Sequence, residues 1–264
     1  MLRHGEGSVK LVPDAGVARA SLSPEAYGEN PDQRRNPLFY LIVLSLTILL
    51  RHRGWFPLHA AALAQSGQGL LLPAQSGSGK TTIALSLVRQ GWNYLSDDTV
   101  LLRSEEKRVG AYSFRRHFCV DPTAIAHFRV LSSPKWPSSP SDASKRQVDP
   151  EAVYPGGFVA ACPPCVIVLP EIIDAPKSRV EGVGAKPVLE QLIGQGAFLL
   201  TADSDVADRH LTALRRLIRQ SCTYRLWAGR DVLKVPGIAH ELLAPLLEEA
   251  SVPEGPEEGE RVIS

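Results

Sequence analysis

Leu70–Thr82, which reads LLLPAQSGSGKTT, constrains this chain more than any other stretch. The apolar run Leu70–Pro73 ends in a loop holding two glycines and a lysine, and the loop opens into Thr82–Gln90, where apolar residues recur at helical spacing. That order predicts strand, phosphate loop and helix. Gly77 and Gly79 have no Cβ, so the backbone can take positive φ and wrap an anion with successive N–H groups at a helix N-terminus. Ser76, Gly77, Ser78, Gly79, Lys80, Thr81 and Thr82 are therefore the nucleotide-binding candidates. Lys80 brings a full charge to the β/γ-phosphates, and the Thr81 hydroxyl can complete a magnesium shell. The usual GxxxxGK(S/T) pattern begins with glycine, where Ala74 stands here. Alanine is the smallest replacement, which predicts a slightly less free turn and a retained site. The competing reading is a Gly/Ser-rich surface loop that happens to precede a helix.

The elements around the loop follow from periodicity and breakers. Gly54–Ala64, then QSGQG, then Leu70–Pro73 predict a hairpin that delivers its second strand into the loop. After the loop, Ile83, Leu85, Leu87 and Val88 give the helix a buried face, and Gly91 stands where a glycine ends helices. Trp92–Leu95 predicts a short strand, and Thr99–Leu102 with Val109–Phe114 a second hairpin around the SEEKR turn. Downstream, Val166–Leu169 and Cys222–Trp227 read as strands, and Lys186–Gly194, Ala207–Gln220 and His240–Ala250 as helices. The expected fold is α/β, a mixed β-sheet with flanking helices.

Residues 1–50 read as an N-terminal leader followed by Leu38–Leu50, thirteen nearly all apolar residues closed by Arg51-His52-Arg53. A bilayer-spanning helix needs about 20 such residues, so this stretch predicts a core helix or strand and no stable membrane insertion. Residues 51–250 form the expected phosphate-loop domain. Residues 251–264, including PEGPEEGER, form an acidic tail expected to be disordered. Between Ser132 and Gly157 serines, prolines and charges gather without periodicity, predicting a long functional or disordered loop. Within it, Lys145 and Arg146 could reach a phosphate or could be solvated turn charges.

A net charge of +1 gives no long-range draw toward nucleic acid. Four cysteines are too few for a disulfide framework and suit a reducing compartment. The start MLRHGEGSVKLVPD has basic residues with no apolar run behind them, which predicts no signal peptide and a cytoplasmic protein. Cys162-Pro163-Pro164-Cys165 lacks the second ligand pair of a zinc site and precedes a strand, where a redox motif would precede a helix. It reads as a turn leading into that strand.

Seventeen residues after Lys80 stand two adjacent carboxylates, Asp97 and Asp98, where a short strand returns the chain toward the loop. One can bind magnesium and the other can take a proton from an attacking hydroxyl. The bland alternative is an Asx-type turn. His59 lies in the otherwise apolar strand LHAAALA, as either a core histidine or a site residue.

A histidine twenty-one residues before the loop lysine and an Asp-Asp pair seventeen and eighteen residues after it resemble the catalytic domain of HPr kinase/phosphorylase. The likeness leans toward its shorter HPr kinase-related relatives. It spans about Leu58–Leu102, with weaker likeness around Val166–Arg179 and Tyr224–Leu233. The resemblance implies a phosphate-loop fold shared with phosphoenolpyruvate carboxykinases and phosphoryl transfer from ATP, with Mg2+, to a serine hydroxyl. It implies Asp97 as general base with His59 nearby, Lys80 at the phosphates, and Thr81 and Asp98 on magnesium. Longer members carry an LEIRGLGI-type stretch tied to phosphorolysis and substrate contact, which Ser113–Phe128 does not match.

The leading expectation is an ATP- and Mg2+-dependent kinase for a serine on a peptide or small protein. A nucleotide-binding regulatory module without turnover and a small-molecule kinase are the alternatives. A monomer and a homo-oligomer are equally compatible with the sequence.

Overall fold

Strands that read as unbroken apolar runs need cover on both faces, and the flanking helices supply it. The computed structural model describes residues 2–4, 7–22, 37–75, 77–132, 136–140, 142–195 and 203–251. Ser76 of the loop and the expected disordered tail beyond Ser251 lie outside the described residues.

In chain order the elements begin with an antiparallel meander of β1 (Leu2–His4), β2 (Gly7–Val12) and β3 (Val17–Leu22). Helix α1 (Pro37–His52) follows, then β4 (Trp55–Gln65), β5 (Gln68–Pro73) and α2 (Lys80–Arg89). Next come β6 (Asn93–Ser96), β7 (Thr99–Ser104), β8 (Val109–Ser113), β9 (Phe118–Val120), α3 (Pro122–His127), β10 (Ser138–Ser139) and β11 (Asp142–Val148). The last third holds β12 (Ala161–Cys162), β13 (Pro164–Ile172), β14 (Arg179–Gly182), α4 (Ala185–Gly194), α5 (Ser204–Arg219), β15 (Cys222–Ala228), α6 (Arg230–Lys234) and α7 (Pro236–Ser251).

Among the described residues the main sheet has nine strands, in the order β12-β8-β7-β4-β5-β13-β15-β14, with β6 pairing β4 off that path. It is mixed, since β13 runs parallel to β5 and β15 while β4 runs antiparallel to β5, β6 and β7. Alternation sorts side chains to two cores. Leu70, Leu72, Val166 and Val168 pack with Ile83, Leu87, Leu243 and Leu247 of α2 and α7 on one face. On the other, Leu71, Ile167 and Leu169 pack with Val188 of α4 and Leu214 and Leu217 of α5. The architecture is α/β, with helices on both sides of the sheet.

Two departures from expectation have local causes. The Ser132–Gly157 stretch is not a structureless loop: β11 pairs antiparallel with β9, and Val148 joins Phe118 and Val120 in the core under α2. Single apolar residues set among charges anchor it, a pattern too sparse to show periodicity. Leu38–Leu50 is helical as allowed, yet its burial is one-sided. Leu41, Ser45 and Thr47 are buried whereas Ile42 and Leu46 are exposed. Among the described residues, no helix is long and apolar enough to cross a membrane.

Candidate functional site

The site is built where β5 stops. Gly77 and Gly79 take φ of 87° and 80°, the left-handed region that only glycine enters at little cost. Gly79 caps α2 without a side chain. The helix therefore begins at Lys80, two residues earlier than its periodicity indicated, and its first-turn amides have no intrahelical acceptor. Ala74 needs no such freedom, because among the described residues the sole non-glycine with positive φ is Ser66. Alanine in the first loop position is thus accommodated, and its carbonyl accepts a hydrogen bond from Lys80 Nζ at 3.3 Å. Ser78 Oγ, in the loop, is buried and has no hydrogen-bond partner among the described residues.

Lys80, His59, Asp98 and Arg115 form a chain of polar contacts. Strand β4 continues past the end of β5, and alternation puts His59 on the same face as Ala61 and Leu63, the face covered by α2. Its Nε2 lies 2.8 Å from Lys80 Nζ and its Nδ1 3.3 Å from Asp98 Oδ1. Burial and the Lys80 charge lower the histidine's pKa, against the pull of Asp98. The ring is accordingly neutral, assigned with Nδ1–H donating to Asp98 and the Nε2 lone pair accepting from the lysine. Burial likewise brings Lys80 down to about 8, with Asp98 and Asp97 opposing. Asp98 Oδ2 accepts from Thr99 Oγ1 at 3.1 Å and from Arg115 Nη1 at 3.3 Å. Burial alone would raise Asp98, but His59, Lys80 and Arg115 outweigh it and hold the pKa below the ordinary value.

Asp97 is set apart from this chain. It is 1% exposed, and its Oδ2 accepts from the Cys119 amide at 3.0 Å and from Thr81 Oγ1 at 3.3 Å. Oδ1 is buried and has no hydrogen-bond partner among the described residues. Burial first, and then the neighbouring Asp98 charge, push its pKa up to about 7. At the Asp-Asp corner Asp98 bonds the hydroxyl of its neighbour Thr99, whereas Asp97 reaches out to Thr81 and Cys119. Ser96 Oγ accepts from the amides of Asp98 and Thr99, both at 3.3 Å, and so closes the turn.

The contacts thus pair Thr81 with Asp97 and His59 with Asp98, whereas the family resemblance implied Asp98 with Thr81 and Asp97 with His59. Thr82 sits in the first turn of α2, where its carbonyl accepts from Ser86 Oγ at 2.9 Å. Magnesium fits this donor set. An unpartnered buried carboxylate oxygen costs about 1–3 kcal/mol, which a cation would relieve, and Thr81 and Asp97 offer hard oxygens. Among the described residues no three His, Cys, Asp or Glu side chains group to hold a metal by themselves. Magnesium needs only one or two protein carboxylates when phosphate and water complete its shell.

Sequence reasoning missed Ser96, Arg115 and Cys119, since a turn serine, a loop arginine and a backbone amide leave no periodic signal. It named Lys145 and Arg146 together, and the fold separates them. Across β9 and β11, Gln147 faces Cys119 while Arg146 faces Val120. Lys145 shares the Cys119 side by alternation, and its charge lowers the pKa of both Lys80 and His59. Arg146 instead bonds Ser138 Oγ at 3.2 Å, within its own hairpin.

The Cys162–Cys165 stretch lies elsewhere and is not the expected turn, since Cys162 ends β12 and Cys165 lies inside β13 with Pro163 between the two strands. Gly69 N donates to Pro163 O at 2.9 Å, and a Cβ on Gly69 would stand 2.6 Å from Cys162 Sγ. Burial pushes the Cys162 thiol up to about 12 and raises Cys165 as well, so neither is an activated thiolate.

A protein-family model described as SynChlorMet cassette protein ScmC matches residues 34–136, less than half of the chain. No curated protein matches. The solved structure of the Hpr(Ser) kinase/phosphatase from Coxiella burnetii shows a distant likeness, at 14% identity and a TM-score of 0.33. The likeness covers 48% of this chain and 77% of that one.

Proposed function

We propose that this chain is a cytoplasmic Mg2+- and ATP-dependent phosphotransferase that moves the γ-phosphoryl group onto a serine hydroxyl of a peptide or small protein. The observation that carries the reading is the convergence of Lys80, Thr81, Asp97 and Asp98 on a glycine loop whose helix N-terminus is open. Such a set combines anion binding, hard-oxygen metal ligation and a proton acceptor at one place in the fold.

The residues divide the work as their contacts do. The first-turn amides of α2, Ser78 Oγ and Lys80 hold the phosphates. Thr81 and Asp97 would hold magnesium, which when bound supplies charge neutralisation at the β/γ-phosphate oxygens. Asp98 is the reachable carboxylate, with 31% of its side chain exposed, and is ionised. It takes the proton of the serine hydroxyl as the new O–P bond forms and the bond to the ADP leaving group breaks. His59 orients Asp98 through Nδ1–H and steadies Lys80 through Nε2.

Incubation with γ-labelled ATP, Mg2+ and serine-bearing peptides tests the reading. Label on a peptide serine is expected. Tight ATP binding with no transfer and no hydrolysis would replace it by a regulatory nucleotide-binding module, and label on a small alcohol alone by a small-molecule kinase.

A further inference from the structure

Arg115 is the residue through which the N-terminal helix reaches the site. Its Nη1 lies 3.3 Å from Asp98 Oδ2, its Nη2 lies 3.7 Å from Cys119 Sγ, and its Cζ stands 5.3 Å from the centre of the Phe39 ring. Phe39 belongs to the first turn of α1, which packs along β4 and so is tied to the strand that carries His59. Three elements distant in sequence therefore meet on one guanidinium.

We infer that Phe39 and Arg115 are positioning residues that fix Asp98, making helix α1 part of the phosphotransfer site and not a leader attached to it. Among the described residues the Asp98 carboxylate has three polar partners. Thr99 is its neighbour and moves with it, so among the described residues His59 and Arg115 are the two that hold the carboxylate from outside its own turn. Each grips a different oxygen, which sets the carboxylate plane. The arginine must itself be held, and Phe39 does this through the ring quadrupole, an attraction that a flat guanidinium exploits better than an ammonium. The side chain of Arg115 is 20% exposed, enough to move if the ring were lost. The proposal rests on the phosphotransfer reading for its effect on turnover, but the mechanical link between Phe39 and Asp98 does not.

The test uses the full chain as wild type, Phe39→Leu, Phe39→Trp and Arg115→Lys. Hydrogen exchange is followed at the amides of Asp98 and Thr99, which rest on Ser96 Oγ, with the Leu71 amide as a marker of global stability. Phe39→Leu should speed exchange at Asp98 and Thr99 by about two- to fivefold and slow turnover by a similar factor, with the KM for ATP unchanged. Phe39→Trp should restore both, and Arg115→Lys should impair both at least as much as Phe39→Leu. Wild-type exchange at Asp98 and Thr99 in Phe39→Leu, an equal rise at Leu71, or failure of Phe39→Trp to restore would each overturn the proposal. If exchange responds as expected while wild type turns over no ATP with any acceptor, the link stands and the phosphotransfer reading falls.

Discussion

His59 Nε2 lies 2.8 Å from Lys80 Nζ, so a strand ahead of the glycine loop holds the loop's lysine in place. With Ala74 O as its second acceptor, the ammonium is held in place and largely removed from water. A lysine prepared in this way loses less freedom when an anion arrives.

Lys80→Ala is expected to abolish ATP-dependent transfer, and His59→Ala to weaken it while leaving measurable ATP binding. Radiolabel transfer and calorimetric ATP titration check both. Wild-type turnover by the Lys80 variant would remove the loop from the mechanism.

The pairing of Thr81 with Asp97 and of His59 with Asp98 separates two substitutions. Asp98→Asn should retain ATP binding and lose transfer by about 100-fold or more, the range of general base catalysis. Asp97→Asn should chiefly raise the Mg2+ concentration needed for half-maximal activity, by about tenfold, as expected on losing one charged oxygen ligand. Steady-state rates across a magnesium titration distinguish them. The opposite pattern would return the base to Asp97.

Lys145 and Arg146 are neighbours with different surroundings, one felt at Lys80 and His59 and the other bonded within its hairpin. Lys145→Ala should slow transfer about tenfold by removing a cation from the developing phosphoryl charge. Arg146→Ala should stay within about twofold of wild type. Equal effects in a transfer assay would mean that net charge, and not placement, is what counts.

His210 stacks on Phe56 with ring centres 4.8 Å apart and is 3% exposed. Burial, and then the Arg51 charge, bring its pKa down to about 4. The unfolded chain therefore takes up this proton first as pH falls. The residue's contribution to stability is fully present above about pH 6.5 and is lost progressively as pH falls toward about 4, by up to about 3 kcal/mol. Denaturant unfolding of wild type and His210→Phe over that window should show the variant losing less. Parallel curves would mean that His210 is already protonated in the fold or accessible to water.

Sequence alone determined the strand, the glycine loop and the helix, because φ freedom, capping and apolar period are properties of neighbouring residues. It likewise determined which runs become central strands, since Leu70–Leu72 and Val166–Leu169 carry no polar face to leave in water. The tertiary structure alone decided which carboxylate meets which partner. Asp97 and Asp98 are chemically identical neighbours, and their roles part because successive side chains leave the corner in different directions while Ser96 holds the turn. Placing β4 between β5 and β7 then brings His59 to Asp98, and β9 brings an amide to Asp97. The same holds for Lys145 and Arg146, which sit side by side in sequence and on opposite faces of β11. Burial, register and through-space charge arise between segments far apart in the chain, and no local pattern of residues encodes them.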